Sequence, residues 1–283
     1  MEKLQKALSK ARQSRGSSAA DQPSAARKPA APRTPERAAA PTAKSFPPIW
    51  EQLTPFEPDP DRFLANRIMT LHAQPEANPF DVLRTKVFLL MRQNGWTRLA
   101  ITSPNKSCGK TTTACNLAVG FSRQREVKSM LLDMDLRRPG IAAMMGYAPE
   151  HDIIKLLTGE VAPQEQMVRL QTNLAISMAK RSVNDPTQTL LSQKTVSTLD
   201  SLQEQFEPDV MILDLPPMLV TDDTRAVLKN VDCALIVAGA EHTRMSQLDV
   251  CEREVSEHTN VLGTVLNNCR HVTEEESYYG DYS

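Results

Sequence analysis

Six short apolar runs recur between residues 98 and 267: RLAITS (98–103), SMLLDMD (129–135), NLAISMA (173–179), DVMILDL (209–215), CALIVAG (233–239) and VLGTVLN (261–267). Near-continuous apolar runs of this length predict strands buried on both faces. Helical patterns fall between them, near 110–124, 151–157, 186–205, 222–229 and 243–258. Strand, helix, strand at this spacing implies right-handed crossovers. The fold class it predicts is α/β, a mostly parallel, doubly wound sheet with helices on both faces. Ligands in such sheets bind beyond the carboxyl ends of the strands, so those ends are where chemistry is sought.

The pattern changes twice along the chain. Residues 2–15, EKLQKALSKARQSR, place Leu4, Ala7, Leu8 and Ala11 on one helical face and basic side chains on the other. Residues 1–15 are therefore expected to form a basic amphipathic helix. Residues 16–60 are rich in Ala, Pro and Ser and read as a disordered linker. The folded domain is expected over 61–272, and 273–283 form an acidic, tyrosine-rich tail.

Charge sharpens this division. The whole chain is nearly neutral, with 33 basic against 34 acidic residues, which gives no reason to expect a nucleic-acid partner. Residues 1–44 hold ten basic side chains against three acidic, near +7, and the rest holds 23 against 31, near −8. A basic arm of this kind seeks an anionic surface or partner. Its apolar face is small, which favours a protein partner over stable insertion in lipid. The five cysteines form no CxxC pair and no metal-ligand spacing, and the expected compartment is reducing and cytoplasmic. No apolar run approaches the ~20 residues that span a bilayer, so membrane association is expected to be peripheral.

Three motifs stand at strand ends. The first is SPNKSCGKT (103–111), the second half of a phosphate-binding loop, with Gly109, Lys110 and Thr111 in place and Pro104 where the first glycine belongs. Consecutive backbone N–H groups at a helix N-terminus cradle phosphate, the lysine reaches the outer phosphates, and the hydroxyl can ligate Mg²⁺. The second is MLLDMDLRRPG (130–140), where Asp133 and Asp135 flank one residue ahead of Arg137. Two carboxylates so close need a cation for relief; alternatively one caps a helix and the other pairs with Arg137. The third is VMILDLPP (210–217), where Asp214 ends an apolar run as a metal-holding acid does, or is simply solvated. Their joint occurrence in order implies a site for a magnesium-bound nucleotide.

Far downstream, three of the four tyrosines, Tyr278, Tyr279 and Tyr282, crowd into the last six residues behind Glu274, Glu275 and Glu276. Aromatics belong in cores and interfaces. In a polar tail they read either as a docking element or as a substrate peptide that enters an active site.

The triple SPNKSCGKT, LLDMDLR and MILDLPP resembles the Walker A, Walker A′ and Walker B motifs of the bacterial tyrosine kinases of capsule and exopolysaccharide synthesis, P-loop proteins related in fold to the partition and division-site ATPases. The likeness covers about residues 78–283, and that family also carries a C-terminal tyrosine cluster. The resemblance implies an ATP-dependent protein-tyrosine autokinase, with Tyr278, Tyr279 and Tyr282 as phosphoacceptors. Lys110, Asp133, Asp135 and Asp214 become the catalytic set, with Asp133 taking the proton of the phenol. Thr111, Asp135 and Asp214 hold Mg²⁺. Asn105, Lys106, Ser107, Cys108, Gly109, Lys110, Thr111, Thr112 and Arg137 become the nucleotide-binding set. It further implies a transmembrane activator of the chain-length-regulator type, a cognate tyrosine phosphatase and a homo-oligomer. The rival reading is a positioning ATPase that controls dimerisation and membrane or DNA attachment; a third is a nucleotide-binding regulator without transfer.

This chain departs from that family at two places. Lys106 and Ser107 stand where Pro-Gly is usual, which puts the backbone's approach to the phosphates in question. Of the oligomerisation signature E-x-x-R-x-x-R, NPFDVLR keeps only Arg84, with Asn78 and Asp81 at the other places. A ring built through it is therefore not expected. Cys108 sits where a helix N-terminus favours thiolate, Lys106 is one residue out of register for the signature lysine of partition ATPases, and Asp222 reads as a helix N-cap. The histidines, His72, His151, His242, His258 and His271, read as surface or capping residues.

Overall fold

A computed structural model describes residues 46–270. The basic helix, the linker up to residue 45 and the tail with Tyr278, Tyr279 and Tyr282 lie outside the described residues. The described chain begins with α1 (Ile49–Gln52), β1 (Thr54–Phe56), α2 (Pro60–Ala65), a 3-10 turn (Pro75–Ala77) and α3 (Asn78–Asn94). It continues through β2 (Arg98–Thr102), α4 (Lys110–Ser122), β3 (Ser129–Asp133), α5 (Ile141–Met145), α6 (Ile153–Leu157) and α7 (Pro163–Gln166). Then come β4 (Val168–Leu170), β5 (Leu174–Ser177), α8 (Thr187–Leu191), α9 (Gln193–Phe206) and β6 (Val210–Asp214). The last elements are α10 (Asp223–Leu228), β7 (Cys233–Gly239), α11 (Met245–Ser256) and β8 (Asn260–Asn267).

The strands form one sheet in the order β1-β4-β5-β3-β6-β2-β7-β8. The six predicted runs are its six mutually parallel strands. The two additions, β1 and β4, are parallel to each other and join through an antiparallel β4–β5 pair. Side chains on alternate positions supply the two faces: Met130, Leu132, Met211 and Leu213 enter one core, and Leu131, Val210 and Ile212 the other. Each buried residue of this size contributes about 2 kcal/mol. Ten consecutive residues of α4, Thr113–Ser122, are buried, so this helix is enclosed on all sides.

The linker does not extend to residue 60. Trp50, Leu53 and Phe56 are buried, and Trp50 Nε1 donates to the Phe206 carbonyl at 2.9 Å. The prolines around them dominate the composition, but three apolar anchors suffice to dock this segment on the sheet edge. The stretch 186–205 is two helices rather than one. Ser192 ends α8 and caps α9, its Oγ accepting from Thr195 N at 3.1 Å.

Arg84 is buried in the seam between α3 and α4. Its Nη1 donates to Asp81 at 2.7 Å and to the Gly120 carbonyl at 2.9 Å, while Arg123 donates to Asp81 from just past the end of α4. The one surviving residue of the oligomerisation signature is thus engaged within its own chain. Among the described residues no helix is long and apolar enough to cross a membrane.

Candidate nucleotide-binding site

β2 and α4 deliver the phosphate loop. Gly109 is the N-cap of α4 with φ 89°, a left-handed conformation that suits glycine. A Cβ added there would lie 2.0 Å from Asn267 Nδ2, so a side chain at this position would have to displace that amide. Ser103 Oγ donates to the Asn105 carbonyl at 2.6 Å, and Thr113 Oγ1 donates back to the Gly109 carbonyl at 2.9 Å. The segment after β7 clasps the loop from outside: Asn105 Nδ2 donates to Gln247 at 2.9 Å, and His242 Nε2 donates to the Lys106 carbonyl at 3.2 Å. Cys108 is buried, with its Sγ 3.5 Å from Thr243 Oγ1. A reagent therefore reaches this thiol only if the clasp opens.

The acids converge on Lys110 from two adjacent strands, because Asp133 of β3 and Asp214 of β6 are paired in register. Lys110 Nζ lies 2.6 Å from Asp135 Oδ2 and 3.8 Å from Asp214 Oδ1, and Thr111 Oγ1 donates to Asp214 Oδ2 at 2.6 Å. Asp133 Oδ2 accepts from Ile141 N at 3.1 Å, so this acid does cap a helix, α5, with one of its oxygens. Its other oxygen, Oδ1, and Asp214 Oδ1 are buried without a hydrogen-bond partner. Burial, and then the Asp214 charge, push the Asp133 carboxyl well above its ordinary range. Burial also raises Asp214, although Lys110 and Thr111 oppose it. Burial pulls the Lys110 ammonium down, but Asp214 and Asp135 outweigh it and raise its pKa. Three carboxylates around one ammonium leave the site short of positive charge.

These observations fit a magnesium nucleotide. Two buried carboxylate oxygens without a hydrogen bond and an all-oxygen set of Thr111, Asp135 and Asp214 suit a hard cation, and the glycine at the head of the loop suits a phosphate. Mg²⁺ keeps most of its waters and needs only one or two carboxylates.

Arg137 is placed differently from the reading that pairs it with one of these acids. It makes no hydrogen bond or ion pair with Asp133 or Asp135 among the described residues. Its guanidinium binds Asp223 and the Asn184 carbonyl, and lies 3.4 Å from Thr187 Oγ1. Asp223 is fully buried and also accepts from Thr187 at 2.6 Å. Asp222 occupies the N-cap of α10, but its side chain pairs with Arg225 at 2.9 Å instead of capping. Asp223, Asn267 and His242 were not singled out for the site. Asn267 carried one available signal, its place at the carboxyl end of a strand.

The profile of the ParA family, described as a NUBPL iron-transfer P-loop NTPase, matches residues 97–279. The chain belongs to the ParA family of P-loop NTPases. This member of the ParA family is 24% identical over 197 residues to a putative tyrosine-protein kinase, EpsB of Ralstonia nicotianae, covering 68% of this chain and 26% of that protein. It thus spans about a quarter of that relative's length. The tyrosine-protein kinase CpsD of Streptococcus agalactiae is 26% identical over 209 residues, covering 72% of this chain and 86% of CpsD. The crystal structure of the VpsO kinase domain superposes with a TM-score of 0.61 at 25% identity, covering 74% of this chain and 96% of that domain. The likeness to bacterial tyrosine kinases carried by the three motifs therefore extends through the whole P-loop fold.

Proposed function

We propose that this ParA-family protein is an ATP-dependent protein-tyrosine autokinase that phosphorylates Tyr278, Tyr279 and Tyr282 and regulates exopolysaccharide or capsule synthesis and export. The observation that carries the reading is the Lys110 ammonium set among Asp133, Asp135 and Asp214, at the mouth of a loop built for phosphate. Relatives named as tyrosine-protein kinases support it, as does the crowding of three tyrosines into the tail.

In this arrangement Lys110 neutralises Asp135 and Asp214 while the site is resting. On binding nucleotide it turns to the outer phosphates, where its charge stabilises the transferring group. Mg²⁺, when bound, supplies charge neutralisation along the phosphate oxygens; Thr111, Asp135 and Asp214 would hold it. The loop residues Asn105 to Thr112 cradle the phosphates with backbone N–H groups. Arg137 acts at a distance by anchoring the segment after β3 to Asp223. Asp133 receives the proton of the incoming phenol, whose ordinary pKa is ~10. A carboxylate whose burial favours the protonated form is suited to that task.

The protein works at the inner face of the plasma membrane through a transmembrane activator of the chain-length-regulator type, which its basic N-terminal arm engages. A tyrosine phosphatase resets the tail.

Purified full-length protein incubated with MgATP and its activator gains phosphotyrosine at Tyr278, Tyr279 or Tyr282 by mass spectrometry, and Lys110→Met abolishes the label. ATP hydrolysis without phosphotyrosine would replace this reading with a positioning ATPase.

A further inference from the structure

We infer that Asn267 and His242 are positioning residues that hold the phosphate loop in its binding shape around Ser107, an inference that rests on the nucleotide-binding reading above. Ser107 has φ 62°, in the left-handed region where a serine carries a penalty that glycine does not. The strained residue sits between two carbonyls, those of Lys106 and Cys108, and each is held from outside the loop. His242 Nε2 donates to the first at 3.2 Å, and Asn267 Nδ2 donates to the second at 2.9 Å. In a phosphate nest the N–H groups face the ligand, so side chains that fix the carbonyls also fix the direction of the N–H groups.

Asn267 is itself built into place. It pairs with Gly239 across β7 and β8, and its carbonyl accepts from Ala240 N at 2.8 Å. The β7–β8 register skips one residue of β8, Leu262, between the pairs Ala234–Val261 and Leu235–Gly263. Without that bulge the residue facing Gly239 would be Leu266, an exposed apolar side chain that cannot donate to Cys108. The bulge therefore sets the parity that puts an amide against the loop. Gly109, which would collide with Asn267 if it bore a side chain, leaves the amide room to reach the loop.

The test is a titration of the full-length protein with a fluorescent ATP analogue and Mg²⁺, with Ser107 retained and in a Ser107→Gly background. Asn267→Ala weakens binding about tenfold where Ser107 is retained, the scale of one lost hydrogen bond. In the Ser107→Gly background the loss shrinks to about twofold or less, because a glycine holds the turn unaided. An equal loss in both backgrounds, or no loss in either, overturns the inference while leaving nucleotide binding intact. No binding by the unaltered protein removes the nucleotide reading, and this inference with it. If Asn267→Ala does not fold, His242→Ala, at an exposed residue, carries the same comparison at the Lys106 carbonyl.

Discussion

Asp133 has room for several hydrogen bonds and makes one, to Ile141 N, although it is fully buried. Its Oδ1 faces no donor, and the neighbouring acid Asp214 adds like charge across the β3–β6 pair. A carboxylate held this way is a cost to the resting fold, because the Ile141 N–H and the Lys110 charge offset desolvation and repulsion only in part. A proton acceptor for a phenol needs that instability, since it is what makes proton capture favourable. The two roles separate on substitution. Asp133→Asn keeps the shape, removes the charge and gives Asp214 an amide neighbour. The nucleotide-free variant is therefore more stable by about 1 kcal/mol, a rise in Tm of about 2–4 °C for a domain of this size. The same variant forms no phosphotyrosine with MgATP and activator. Thermal unfolding checks the first outcome and anti-phosphotyrosine labelling the second; a lowered Tm would show that the acid is a structural cap of α5 before it is anything else.

Arg137 and Asp223 tie the segment after β3 to the start of α10, and the pair's pH response can be signed. Burial pushes the Asp223 carboxyl up, but its bonds from Arg137 and Thr187 outweigh burial and hold it below its ordinary range. A depressed acid contributes stability that is present above its unfolded value, near pH ~4, and is lost as pH falls through the lower folded value. Asp223→Asn should therefore cost about 2 kcal/mol at neutral pH; Arg137, a third exposed, keeps some water and limits the loss. The Tm curves of variant and unaltered protein converge below pH ~4, and curves that stay parallel down to pH ~3 would remove the pair from the stability account. This network also marks what the sequence made legible. Strands β2, β3, β5, β6, β7 and β8 were readable because each is a near-continuous apolar run with an interruption at its end. β1 and β4 have three residues each, too few for any periodicity, and among the described residues they make the sheet's only departure from parallel order. α3 escaped because apolar residues crowd both its faces, with Leu89 and Leu90 exposed and Arg84 buried. At the site, Lys110, Thr111 and the three acids were legible as motifs fixed by chemistry at strand ends. Asn267 and His242 were not, because they touch the loop through its backbone carbonyls, whose partners no motif encodes.

On the scale of the whole molecule, the end of β8 lies against the phosphate loop, and the tyrosines follow from there. Asn267 touches the Cys108 carbonyl, and Tyr278 is eleven residues further on, a reach of at most about 40 Å. The strand that leads to these proposed acceptors therefore ends beside the loop that precedes Lys110. Arg84, which a neighbouring subunit would have to engage through the oligomerisation signature, is buried between α3 and α4 and bonded to Gly120 and Asp81. Tyr147, the one tyrosine outside the tail, is half-buried and packs edge-on against Phe56 with ring centroids 5.4 Å apart. The short tail and the internal bonds of Arg84 favour transfer within one chain over transfer between chains. The fraction of protein labelled per minute should then be unchanged when the activated kinase is diluted tenfold at constant MgATP, because a unimolecular step has no partner to dilute. A fall in proportion to concentration would mean that the tail is delivered by a second copy, through a surface other than the one that holds Arg84.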